Sequence, residues 1–158
     1  MPLVIGLTGS IAAGKSLLSD HLVKTRGAIH ANADTLVHRM YDPNTEGFDR
    51  IVAEFGEEVI GDDGYIDRKV IGSKVFGNRE RMSALTTAIG DISQMIHDTI
   101  DAWHADLPAD AIAVMEAVNL IEPGYSERCD TTWLVACETE TALPRLMARN
   151  SFTEEEAM

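Results

Sequence analysis

The sequence has little cysteine, and its two cysteines do not suggest a crosslink or a metal. Cys129 and Cys137 stand apart, with no CxxC spacing. They read as two reduced thiols in or near the core of a cytosolic protein. Basic residues are also scarce. Thirteen Lys and Arg face 26 Asp and Glu, a formal net charge of −13. That argues against a general nucleic-acid binder, which would show a basic stripe. No apolar run approaches the roughly 20 residues of a membrane span. The start, Met1 to Leu7, lacks a basic n-region, and the first cation is Lys15. It reads as a buried strand rather than a signal peptide. Internal repeats and low-complexity segments are missing too. Gly61-Asp62-Asp63-Gly64 lacks the alternating ligands and terminal Glu of an EF-hand, so it reads as a turn.

What is present fits one globular domain: 158 residues, 45% hydrophobic and 25% charged. Leu3–Thr8 is a short apolar strand running into a glycine loop. Lys15–Thr25 carries Leu18 and Leu22 at helical spacing, and Gly27 stops it. A short strand over Ala28–Asn32 and a helical piece over Thr35–Tyr41 follow. Phe48, Ile51, Val52 and Phe55 mark an amphipathic helix closed by Gly56. Arg68–Phe76 reads as helix. Met82, Leu85, Ile89, Ile92, Ile96, Ile100 and Trp103 form one stripe, which predicts a long helix over Arg79–Trp103. Ala111–Ala117 and Thr131–Cys137 are continuous apolar runs of strand length, the signature of strands covered on both faces of a parallel sheet. Thr139–Arg149 reads as helix if Pro144 falls near its first turn. Thr153 and Glu156 make a capping box for a last helix. Strands alternating with helices predict an α/β parallel sheet flanked by helices.

The chemistry starts at Gly9-Ser10-Ile11-Ala12-Ala13-Gly14-Lys15-Ser16, which fits GxxxxGK[ST] between a strand and a helix. Gly9 and Gly14 permit backbone conformations that turn successive N–H groups inward, and the helix behind adds its positive end. Lys15 is placed to reach the β- and γ-phosphates of a nucleoside triphosphate and Ser16 to ligate Mg²⁺, with the loop backbone contacting phosphate from Gly9 through Leu17. Positive charge is locally favoured here despite the acidic whole: Lys15, Lys24 and Arg26 meet only Asp20 before residue 30. None of the histidines (His21, His30, His38, His97, His104) is assigned to chemistry.

The stretch Ile5 to Ser16 resembles the opening of the dephospho-CoA kinase family, IGLTGGIGSGKS. The resemblance continues at Asn32-Ala33-Asp34, Phe55-Gly56, Asp63-Gly64-Tyr65-Ile66-Asp67-Arg68, Val75-Phe76, Ala113–Gly124 and Arg145-Leu146-Met147-Ala148-Arg149. It implies a P-loop kinase that uses ATP and Mg²⁺ to phosphorylate the ribose 3′-hydroxyl of dephospho-CoA. It implies core segments over 1–42 and 108–140, a helical substrate region over about 60–105 and part of a lid over about 141–158. Asp34 matches the family's catalytic base. By its residues alone it reads as a helix N-cap ahead of Thr35-Leu36-Val37. Glu116 stands where such enzymes carry a metal-holding acid, usually Asp. Arg145 and Arg149, one helical turn apart, lead into the lid and are either phosphate contacts or surface residues. Thr8, Asp34 and Arg68 are placed with the substrate.

The sequence departs from the family at Ser10, Ala12 and Ala13 in the loop, at Asn32, at Gly90-Asp91 and at Val118-Asn119. The family pattern runs on past the lid, so a chain of these 158 residues is expected to bind ATP weakly and turn over poorly. A cytoplasmic monomer or weak homo-oligomer is expected. The competing readings are another P-loop kinase acting on a nucleoside or nucleotide, and a non-catalytic ATP-binding relative.

Overall fold

The computed structural model describes residues 1–150, with side chains through Ala148. The capping box at Thr153 and Glu156, and the helix it would open, lie outside the described residues. The chain divides into two compact units, Met1–Ala33 with the segment from Ile96 onward, and Asp34–Met95.

The first unit is built on a four-stranded sheet. Its strands are β1 (Leu3–Gly9), β2 (Ile29–Asn32), β3 (Ile112–Glu116) and β4 (Thr131–Val135), in the order β2-β3-β1-β4 with every pair parallel. The register sets Leu7 and Asn32 opposite Glu116, so β2 and β3 end level and β1 runs two residues further, to Gly9. Alternation then sorts the faces. Ile5, Leu7 and Val114 share one face and bury against Leu18 and Leu22 of helix α1 (Lys15–Arg26). Gly6 points the other way, where an added Cβ would meet Leu120 and the Cys129 sulfur. Gly27 ends α1 in the left-handed conformation, φ +65°.

The prediction of full coverage fails for β4. It pairs only with β1 among the described strands, and Leu134 is 72% exposed. Its apolar run reads as a strand covered on both faces, but among the described strands it lies at the sheet edge. Asp130 fastens its start: the Asp130 carboxylate accepts from Val4 N–H at 2.7 Å, and Asp130 N–H donates to the Val4 carbonyl at 2.9 Å. Helix α7 (Thr139–Asn150) carries Pro144 in its second turn, not its first. The expected placement is off by one turn, and Pro144, which has no N–H, leaves one backward helical bond unmade.

The second unit gathers α2 (Ala33–Arg39, from Asp34 on), α3 (Glu46–Phe55), α4 (Arg68–Val75) and α5 (Arg79–Ile89). Ile51, Phe55, Val59, Ile71, Val75 and Ile89 form its buried core. Thr45 caps α3 and Asp67 caps α4, each accepting from first-turn N–H groups. Gly61 to Gly64 forms a tight turn closed by a Gly64 N–H to Gly61 carbonyl bond of 2.9 Å, with Ile60 and Ile66 bridging antiparallel beside it. The predicted single long helix is corrected here. It breaks into α5 and α6 (Ile92–Asp106). Gly90 takes φ +113°, ψ −165°, a conformation that leaves the helix, and Asp91 restarts it by accepting from Gln94 N–H at 2.9 Å.

Candidate active site

The glycine loop follows β1 directly, and its backbone takes three positive-φ residues: Gly9 (+146°), Ala12 (+62°) and Gly14 (+105°). At Gly9 the freedom is also spatial, because a Cβ there would fall onto the Val135 carbonyl of β4. Ala12 is an alanine held in the left-handed region, which costs an L-residue about 1–2 kcal/mol. Gly14 forms the N-terminal boundary of α1, whose first turn has no acidic residue to offset its positive end. Lys15 is only 8% exposed. It folds back over the loop, donating from Nζ to the Gly9 carbonyl at 2.8 Å and the Ser10 carbonyl at 2.9 Å. Its ammonium therefore sits at the mouth of a ring of backbone. Arg145 of α7 joins Ala12, Gly14, Lys15, Ser16 and Leu17 in lining one cavity of about 390 Å³. Two cations converge on it, which suits a polyanion.

Behind the loop, Glu116 ends β3 and is 3% exposed. A carboxylate so deep needs donors, and it has three. Ser16 Oγ donates to Oε1 at 3.0 Å, while Ser19 Oγ at 2.9 Å and His30 Nε2 at 3.0 Å meet Oε2. Ser16 and Glu116 are hard oxygen donors side by side, the chemistry Mg²⁺ selects. Among the described residues no cluster of three His, Cys, Asp or Glu could cage a metal by itself.

Ser19 and His30 were missed by sequence reasoning. Both had a signal. Ser19 lies three residues after Ser16, on the same helix face. His30 and Asn32 alternate with Ala31, so both face the side of the sheet that bears Glu116. The resemblance places Thr8 with the substrate, but it is buried and its hydroxyl donates to the Val118 carbonyl at 2.8 Å, tying β1 to the segment after β3. The side chain of Arg149 lies outside the described residues.

In the second unit, Asp34 occupies the first turn of α2, one residue inside the helix rather than at its cap. It shares an electrostatic neighbourhood with Arg68. Burial and then the Arg68 guanidinium push His38 below its ordinary pKa, while the Asp34 and Asp42 carboxylates pull it back up. Burial raises the Tyr41 pKa, and Arg68 opposes that shift. Arg68 also lines an open cavity of about 660 Å³ beside Tyr65 and the acidic turn. Among the described residues, no helix is long and apolar enough to cross a membrane.

The comparisons with known proteins agree on one family. The family model described as dephospho-CoA kinase matches residues 3–158. A dephospho-CoA kinase of Geobacter sulfurreducens is 38% identical over 158 residues, covering 98% of this chain and 77% of the relative. One from Symbiobacterium thermophilum is 36% identical over 156 residues, covering 98% of this chain and 64% of the relative. The solved structure of dephospho-CoA kinase from Campylobacter jejuni superposes with a TM-score of 0.67 at 25% identity, covering 99% of this chain and 77% of that one. With a family match over nearly its whole length and a phosphate loop whose Ser16 hydrogen-bonds the buried Glu116, the chain belongs to the dephospho-CoA kinase family.

Proposed function

We propose that this chain transfers the γ-phosphoryl group of ATP to the 3′-hydroxyl of dephospho-CoA, giving coenzyme A and ADP. The observation that carries the reading is the Gly9–Ser16 loop with Lys15 folded over its mouth and Ser16 bonded to Glu116. The family membership supplies the acceptor.

Phosphoryl transfer asks for positioning and charge neutralisation more than for covalent chemistry. The loop backbone from Gly9 to Leu17 and the positive end of α1 receive the phosphates. Lys15 exchanges loop carbonyls for β- and γ-phosphate oxygens, and Arg145 adds a second cation from α7. Arg149, one turn further on, is assigned the same task. Ser16 and Glu116 would hold Mg²⁺, which when bound neutralises phosphate charge. Asp34 takes the proton as the ribose 3′-oxygen bonds to phosphorus and the bond to the β–γ bridging oxygen breaks. Arg68 binds the substrate, and Thr8 acts through the backbone it ties rather than by contact.

In this reading 1–42 and 108–140 supply the kinase core, about 60–105 the substrate region, and about 141–158 part of a lid. The enzyme works in the cytoplasm as a monomer or weak homo-oligomer, without nucleic acid or membrane. Incubation with ATP, Mg²⁺ and dephospho-CoA, followed by mass spectrometry, should show a product one phosphoryl group heavier. Bound ATP with no such product would refute the reading. Phosphorylation of a nucleoside in preference would favour a different P-loop kinase.

A further inference from the structure

Glu116 is a flexible side chain at the point where its direction matters most. Glutamate carries three rotatable torsions, and its two oxygens are interchangeable unless something distinguishes them. Here they are distinguished. Oε1 meets Ser16, and Oε2 meets Ser19 and His30. The Ser19 hydroxyl has three acceptors in reach: the Lys15 carbonyl at 3.3 Å, the Ser16 carbonyl at 3.2 Å and Glu116 Oε2 at 2.9 Å. One proton serves one strong bond, and the shortest, charge-assisted partner takes it. Ser19 is 0% exposed, so no water competes. A carboxylate only accepts, so His30 carries its proton on Nε2 in this contact. His30 reaches Glu116 because both lie on the α1 side of the sheet, two residues apart in the β2–β3 register.

We propose that Ser19 and His30 are positioning residues that lock the Oε2 edge of Glu116 and so turn Oε1 toward Ser16 and the metal that the two would share. This rests on the kinase reading, in which Ser16 and Glu116 face Mg²⁺. Neither residue lines the cavity at the loop. Ser19 acts from inside α1 and His30 from β2, so two separate elements hold the same oxygen of Glu116. Partners of this kind, one step behind the metal ligands, are typically worth 10- to 100-fold in metal affinity.

The test is calorimetric titration of the full chain with ATP, in excess Mg²⁺ and in chelator, for the native protein and Ser19→Ala, His30→Val and His30→Gln. ATP affinity in chelator reports the loop and Lys15 and should stay native in all three. The gain in affinity on adding Mg²⁺ should fall about 10-fold in Ser19→Ala and His30→Val. It should return in His30→Gln, which restores a donor. If Ser19→Ala fails to fold, the two His30 variants decide alone, since His30 is partly exposed. A Mg²⁺ gain that stays native in His30→Val and in any folded Ser19→Ala overturns the inference by itself. A native chain whose ATP affinity ignores Mg²⁺ overturns the inference together with the kinase reading beneath it.

Discussion

Three small substitutions in the phosphate loop should change stability by different amounts and in different directions, because the loop uses three positive-φ residues for different reasons. At Gly9 an added methyl meets a backbone it cannot displace. Its Cβ would fall onto the Val135 carbonyl oxygen and come within 3.0 Å of the carbonyl carbon, and Val135 is the residue paired with Gly9 in β4. The φ of +146° adds backbone strain of about 1–3 kcal/mol. Crowding of a filled site adds about 1–3 kcal/mol. Gly9→Ala should therefore cost about 2–6 kcal/mol. At Gly14, φ is +105° but nothing lies within 4 Å of the built Cβ. Only the backbone cost applies to Gly14→Ala, about 1–3 kcal/mol. Ala12→Gly runs the other way. It relieves a left-handed alanine worth about 1–2 kcal/mol and gives back about 0.4–1 kcal/mol through the freer unfolded chain. The net is a stabilisation of about 0–1.5 kcal/mol. For a chain of this length each kcal/mol moves Tm by about 2–4 °C. Unfolding in denaturant, followed by circular dichroism, should rank them Ala12→Gly, native, Gly14→Ala, Gly9→Ala from most to least stable. Gly9→Ala as stable as Gly14→Ala would refute the role given to Val135. A destabilised Ala12→Gly would refute the strain argument.

Lys15→Ala should weaken ATP binding about 100-fold by calorimetry, since several charge-assisted bonds depend on one ammonium; unchanged affinity would remove the loop from the site. Asp34→Asn should lower kcat by about 10²- to 10⁴-fold while leaving ATP affinity native; retained turnover would exclude Asp34 as the base. Asp130 should make the fold acid-sensitive. The Val4 N–H bond first, and the His104 bond next, hold its pKa below the ordinary carboxylate value. The folded pKa is depressed, so the stabilisation is present above the unfolded carboxylate range and is lost as pH falls through the folded value. Asp130→Asn should flatten that part of an acid-unfolding curve, and an unchanged curve would contradict the assignment.

The phosphate loop was legible because its chemistry is local: two glycines, a lysine and a serine at fixed spacing between a strand and a helix. Gly27 and Gly56 marked helix ends for the same reason. The break at Gly90 was not read, because the apolar stripe from Met82 to Trp103 keeps helical phase across it and hid a glycine followed by a capping acid. β4 reads as covered on both faces, since composition reports hydrophobicity and not neighbours, yet Leu134 faces out. Glu116 was found as the acid at a strand end. Its partners Ser19 and His30 were not, because they come from two other elements: Ser19 from α1, and His30 through the parallel register of β2 on β3. Thr8 lay in the right motif but is spent on the Val118 carbonyl.

If this loop serves transfer to the 3′-hydroxyl of dephospho-CoA, phosphorus NMR of a reaction containing ATP, Mg²⁺ and dephospho-CoA should show it. A new phosphomonoester resonance coupled to the ribose 3′ proton should grow as the γ-phosphate of ATP declines. ATP consumed into inorganic phosphate alone, or a phosphomonoester formed only when another acceptor is supplied, would contradict it.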